Sequence, residues 1–247
     1  LVSAQGGPAT GVGAGPRSGD SLRGGNGVRS GGQGSGNANR GTGRPILDET
    51  PAGEPSEGEE QGLLSMRDEE KLARDVYLEL YDRWGLQTFA NIAGSEDTHM
   101  EAVKTLLDHY GLGDPVEGKA AGEFANKELK ALYDQLVDQG SRSLVDALKV
   151  GAAIEEIDIL DLQDYVAQTD RTDIQRVFDS LMRGSRNHLR AFVSGLERQG
   201  VEYEPGYLSP DAYDEILYAQ TERGGAPSNQ AGRGSRGRQS GRGRQRN

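Results

Sequence analysis

Leu63-Leu64-Ser65-Met66-Arg67-Asp68-Glu69-Glu70-Lys71-Leu72-Ala73-Arg74-Asp75-Val76-Tyr77-Leu78-Glu79-Leu80-Tyr81-Asp82-Arg83-Trp84 is the stretch on which the fold turns. Within it Leu63, Met66, Glu70, Ala73, Tyr77, Leu80 and Trp84 recur at alternating steps of three and four. That is the spacing of a helix with one buried face, and Gly85 supplies its stop. The alternation returns in Phe89, Ile92, Glu96, His99, Val103, Leu106 and Tyr110, closed by Gly111, Gly113 and Pro115. A third inner face reads Leu144, Ala147/Leu148, Gly151, Ile154/Glu155, Asp158 and Leu162, within a helix expected over 143–168. A fourth carries Phe178, Leu181, Ser185, His188 and Phe192 ahead of Gly200, with Thr172 or Asp173 as its expected cap.

Between the second and third long helices lie the 32 residues 111–142, expected to hold one short helix capped by Asn126 and ended at Gly140. Ser209-Pro210 announces a last short helix. No strand-like alternation of useful length appears. The expected fold is therefore all-α: a four-helix bundle of the ferritin-like kind, two helical hairpins joined by one long crossover. An up-down-up-down bundle does not need so long a connection.

Composition sets the limits of this domain. The chain has 247 residues and a formal net charge of -11. Residues 1–46 hold 15 of the 37 glycines, five arginines and one acid, while residues 223–247 hold seven arginines, seven glycines and no acid. Setting aside their +4 and +7 leaves about -22 on residues 47–222. Neither end carries enough apolar surface to offset chain entropy, so both are expected to be disordered. The expected organisation is a Gly-rich arm over 1–46, an acidic linker over 47–60, the bundle over 61–220 and an Arg/Gly-rich tail over 221–247. The absence of cysteine excludes disulfide scaffolds, thiolate catalysis and iron–sulfur clusters. No apolar run reaches the ~18–20 residues of a membrane span, so no membrane partner is expected. The opening Leu-Val-Ser-Ala-Gln has the look of a signal-peptide remnant without its hydrophobic region, which leaves exported and cytoplasmic locations both open.

The anomaly is what occupies the seams. Glu70, Glu96, His99, Glu155, Asp158 and His188 all fall on inward positions, and Glu96 and His99 stand three residues apart on one face. One inward carboxylate is ordinarily explained by a helix end or an arginine partner. Six together are not, because each unpaired buried charge costs several kcal/mol. Two divalent ions would remove most of that cost and need this mixture of oxygen and nitrogen donors. In the first hairpin the levels differ by about a turn, which a Glu side chain and a tilt can absorb: Glu70 lies about 21 Å from Trp84, and Glu96 and His99 about 12–17 Å beyond Thr88. Glu155 lies about 20 Å from Gln168, and His188 about 22 Å beyond Asp173. Glu69 and Glu156 stand beside two of these positions, and a rotation of about 100° would exchange each for its neighbour. Tyr77 reads first as a packed core tyrosine, with a hydrogen bond to a ligand or an electron relay as the alternatives. Arg183, Arg186 and Arg190 read as surface charge, with orientation of His188 as the alternative. His109 lies off the seam and reads as a surface residue.

Met66-Arg-Asp-Glu-Glu-Lys-Leu-Ala-Arg-Asp-Val-Tyr77, Ser95-Glu-Asp-Thr-His-Met100, Gly151-Ala-Ala-Ile-Glu-Glu-Ile-Asp158 and Arg183-Gly-Ser-Arg-Asn-His-Leu-Arg190 occur in that order. Together they resemble a prokaryotic, rubrerythrin-related family of the ferritin-like superfamily, the domain of unknown function 2202, over about residues 60–218. The superfamily pattern implied is Glu, then Glu-x-x-His, then Glu, then Glu-x-x-His, and Glu70, Glu96, His99, Glu155 and His188 match it. Ser185 stands where the last carboxylate belongs, and Asp158, one turn beyond Glu155, is expected to replace it.

The resemblance implies a dinuclear centre of two iron ions, or manganese, in an oxidoreductase acting on O2, peroxide or ferrous iron. With no cysteine to hold a rubredoxin-type module, turnover would require an external electron donor or ferrous iron itself as reductant. The alternative is a non-enzymatic bundle that stores metal or serves as an interaction module. The Arg/Gly tail is expected to make at most weak, salt-dependent contact with RNA or other polyanions. Whether the bundle forms a homodimer is left open by the sequence.

Overall fold

Ser56 starts the first helix, α1 (Glu57–Trp84). Its hydroxyl accepts the Glu59 N–H, and the Glu59 carboxylate accepts the Ser56 N–H at 2.8 Å. This capping box, with Glu57, Glu59 and Glu60 in the positive first turn, draws the helix start back into the stretch expected to be linker. At the other end Gly85 adopts φ 65° and returns its N–H to the Tyr81 carbonyl, a conformation a side chain would oppose. Two residues later α2 (Gln87–Tyr110) begins. So short a link between long helices that pack on each other makes them an antiparallel hairpin. The second hairpin is α4 (Leu144–Ala167) with α5 (Thr172–Arg198).

The computed structural model describes residues 53–219 and Glu222. Among them the regular structure is all helical, without strands, and two shorter helices complete it: α3 (Lys127–Gly140) in the long connection and α6 (Pro210–Tyr218) near the end. The hairpins meet through α1 against α4 and α2 against α5, and α3 lies against α1 and α4. Asn126 and Ser209-Pro210 cap α3 and α6 as expected. The cap of α5 differs from expectation. Thr172 is its first residue, and the N-cap is Arg171, which makes no side-chain cap bond. Asp173 instead accepts the Tyr110 hydroxyl at 2.7 Å, and Arg171 is tied to Glu59 across the fold. The Arg171 side chain is thus committed to a tertiary ion pair, and no side chain caps this end of α5. The expectations for 1–46, for the first six residues of the linker (47–52) and, Glu222 apart, for the Arg/Gly tail with its polyanion contact lie outside the described residues, whereas 57–60 are helix and not linker.

Each seam is buried as its spacing requires. Tyr77, Phe89 and Phe192 pack ring against ring with centroids 5.2–6.3 Å apart, and Leu63, Met66, Leu80, Leu106 and Leu148 are fully buried along the seams. Each such side chain is worth about 1.5–3 kcal/mol when withdrawn from water. Gly151 lets α4 and α5 approach closely, since a Cβ there would fall 2.5 Å from the Phe192 ring.

Buried charges on α1 hold the long connection. Arg67 forks onto Asp114 at 2.8 and 3.1 Å. Lys71, almost wholly buried, pairs with Asp75, donates to the Ala120 carbonyl at 2.9 Å and sits 4.3 Å over the Phe124 ring. Asp75 in turn accepts the Gly122 N–H. These groups lie on the side of α1 facing the connection and explain why it does not drift from the body. No described helix is long and apolar enough to cross a membrane.

Candidate metal centre

Four helices bring their inward acids and imidazoles to one level. Glu96 and His99 come from consecutive turns of α2, Glu70 from the facing turn of α1, Glu155 from α4 and His188 from α5. Their ligand atoms converge as two triads, Glu70–Glu96–His99 and Glu96–Glu155–His188, with every donor atom of a triad within 4.8 Å of the others. Glu96 belongs to both. Its Oε2 lies 2.7 Å from His99 Nδ1 and its Oε1 lies 2.9 Å from His188 Nδ1, one oxygen turned to each imidazole. Glu70 Oε2 stands 3.3 Å from His99 Nδ1, and Glu155 Oε2 stands 3.4 Å from His188 Nδ1. The two rings stack at 5.5 Å.

Asp158 is buried beside this cluster but belongs to neither triad. Its Oδ2 is engaged by the Ser185 hydroxyl, which also lies 3.0 Å from the Leu181 carbonyl. At the α5 position where a carboxylate is expected from the resemblance, the chain therefore places a serine bonded to a carboxylate from α4.

The neighbouring glutamates separate cleanly. Glu156, fully buried, accepts the Tyr203 hydroxyl and the N–H groups of Gly206, Tyr207 and Leu208, so it anchors the segment before α6 and takes no part in the cluster. Glu69 turns to the α4 side, where burial raises its carboxyl and the charges of Asp161 and Asp158 act on it. Tyr77 is fully buried among aromatic rings, as its first reading expects, and its hydroxyl donates to Glu155 Oε1 at 2.6 Å. The arginines of α5 do not orient His188. Arg186 pairs with Glu222 at 2.6 Å, Arg190 donates to the Ile216 carbonyl and Arg183 to Ser180. His109 is exposed on the outer side of α2.

Two contacts were not read from the sequence. Ser95 Oγ lies 2.9 Å from His188 Nε2, and Gly184 lies so close to His99 that a Cβ there would fall 2.4 Å from its Nε2. Each neighbours a residue already suspect, Glu96 and Ser185, but their bearing on an imidazole from another helix needs the packed hairpins.

Burial and mutual charge act against each other within the cluster. Burial pushes Glu70 up to about 8, with His99 opposing and Glu96 adding to the shift. Burial and the charges of Glu70 and Glu155 drive Asp158 well above the carboxylate range. Burial would raise Glu96 too, yet His188 and His99 outweigh it and hold Glu96 below its ordinary value. His188 is held up to about 10: burial lowers it, and Glu96 and Glu155 more than restore it. Three buried atoms of the cluster, Glu70 Oε1, Glu96 Oε1 and His188 Nδ1, have no hydrogen-bond partner. Glu96 Oε1 and His188 Nδ1 are near one another without hydrogen-bond geometry, as donors aimed at a shared point would be.

Those shifts fix a pH dependence. A folded state that holds protons more tightly than the unfolded chain loses stability as pH rises through the gap between the two values. For Glu70 the gap runs from 4.5 to about 8, and for His188 from 6.5 to about 10. The metal-free protein should therefore melt lower at pH 9 than at pH 6.5. Scanning calorimetry of chelator-treated protein across that range checks it, and a melting temperature that climbs with pH would contradict it.

Comparison with known proteins bears on the whole helical region. Residues 59–220 match the family described as an uncharacterized protein domain, DUF2202. The uncharacterized protein MJ0754 of Methanocaldococcus jannaschii is 54% identical over 169 residues, covering 68% of this chain and 91% of that protein. The crystal structure of the hypothetical protein MJ0754 from Methanococcus jannaschii resembles this fold with a TM-score of 0.68 at 52% identity, over 70% of this chain and 99% of the other.

Proposed function

The chain belongs to the DUF2202 family, and from that premise we propose that its four long helices form a ferritin-like bundle holding a dinuclear iron or manganese centre that acts as an oxidoreductase on O2, peroxide or ferrous iron. The observation that carries this reading is Glu96, whose two oxygens face two different imidazoles while one of them has no hydrogen bond. A structural carboxylate is satisfied by donors, whereas a carboxylate shared between two cations is arranged in this way.

Glu70 and His99 would complete one position, Glu155 and His188 the other. Asp158, one turn from Glu155, would add a fourth carboxylate on leaving Ser185. The donor set is oxygen-rich with two imidazoles and no thiolate, which suits iron or manganese. Bound there, such ions supply one-electron chemistry and open coordination positions for a small oxidant. The chain's own part is to hold the ligands in a dry layer. Tyr77 fixes one Glu155 oxygen, and its ring is packed against Phe89 and Phe192.

The engagement of Asp158 by Ser185 favours a second reading, in which metal is held without turnover. Anaerobic addition of two equivalents of Fe²⁺, followed by air, separates the two. Oxygen uptake and ferric absorbance well above the protein-free rate are expected from the oxidoreductase. Bound Fe²⁺ that oxidises no faster than in buffer supports storage and overturns the enzymatic reading.

A further inference from the structure

Resting on that dinuclear reading, we propose that the two positions are unequal: Glu96–Glu155–His188 takes the tightly held ion and Glu70–Glu96–His99 the weakly held one, because Ser95 and Tyr77 orient ligands of the first position alone. The two triads look alike in donors, each with one imidazole, one private glutamate and a share of Glu96. They differ in what stands behind the donors.

At the first position both private ligands are tied from outside. With Nδ1 facing Glu96 and Glu155, the far nitrogen of His188 can donate its Nε2–H to Ser95 Oγ, 2.9 Å away. That bond selects the tautomer whose lone pair is on Nδ1 and fixes the ring rotation. Glu155 is held in the same manner: Tyr77 takes Oε1 at 2.6 Å and leaves Oε2, the oxygen beside His188, free for an ion. Tyr77 is itself immobilised between Phe89 and Phe192.

At the second position neither tie exists. Among the described residues no hydrogen bond reaches His99 Nε2, which rests against Gly184, where there is no side chain to receive it. Glu70 Oε1 is buried without a partner. Asp158, the nearest further carboxylate, is engaged by Ser185. Outer hydrogen bonds of this sort are typically worth about 10–100-fold each in metal affinity. Two on one side and none on the other separate the positions by at least one such factor.

Ser95 and Tyr77 are positioning residues, so the test reads binding steps and not activity. The metal-free full chain is titrated with Mn²⁺ under anaerobic conditions, followed by calorimetry and by the electron paramagnetic resonance of free and bound ion. Wild type is expected to bind in two resolved steps. Glu155→Gln should remove the tight step and Glu70→Gln the weak one. Ser95→Ala and Tyr77→Phe should each weaken the tight step by about 10–100-fold and leave the weak step in place, while Ser95→Thr, which keeps the hydroxyl, restores it. A general loosening of the fold would weaken both steps together. Two equal steps in wild type, loss of the tight step in Glu70→Gln, or equal weakening of both steps by Ser95→Ala overturns this inference and leaves the dinuclear reading standing. No Mn²⁺ bound by wild type overturns the dinuclear reading, and this inference with it.

Discussion

Glu96→Gln is expected to abolish both metal positions in a single substitution while the helices remain folded. Glutamine keeps the volume and one carbonyl oxygen but turns an amide N–H₂ toward the other imidazole, so neither His99 nor His188 retains a shared anion. Loss of an outer hydrogen bond costs about 10–100-fold in affinity, and loss of a bridging ligand should cost at least about 100-fold at each position. Glu70→Gln and Glu155→Gln serve as controls, each touching one triad. Equilibrium dialysis with Mn²⁺ should give none bound for Glu96→Gln and one for each control. The circular dichroism should stay helical, because Glu96 caps no helix and the buried apolar seams hold the helices together. Full occupancy in Glu96→Gln would show that the converging oxygens are incidental.

Glu156→Ala should produce the largest loss of stability without touching the centre. Its carboxylate receives four donors from residues 203–208, three of them backbone N–H groups. Each donor left unsatisfied costs about 1–3 kcal/mol, partly recovered as the segment opens to water, for an expected total of about 3–5 kcal/mol. In a domain of this size that lowers the melting temperature by roughly 10 °C. Metal stoichiometry should be unchanged. A melting temperature equal to wild type would mean that α6 and the segment before it are not held through Glu156.

These two substitutions mark what the sequence does and does not disclose. The inner faces were legible because spacing by three and four is a local property, and an acid on such a face stands out against the leucines around it. Glu70, Glu96, His99, Glu155 and His188 could be singled out on that ground, and the structure brings their donor atoms together. Choosing Glu155 over Glu156 is harder, since both are buried. What separates them is a loop some fifty residues away that satisfies one of the two. The same holds for Arg171, whose side chain is committed to Glu59 across the fold, and for Lys71 and Asp75, whose burial follows from where the long connection lies. Tyr77 shows why one tyrosine can do two things: its ring fills the core and its hydroxyl reaches Glu155, a candidate ligand. Asp158 shows the opposite, a seam acid whose oxygen is engaged by a serine on the facing helix.

Metal content per chain tests the central claim most directly. Protein freed of metal, reconstituted anaerobically with Fe²⁺ or Mn²⁺ and desalted should carry two ions per chain by mass spectrometry of the elements. A chain that retains no ion, with a melting temperature indifferent to added metal, would contradict the account.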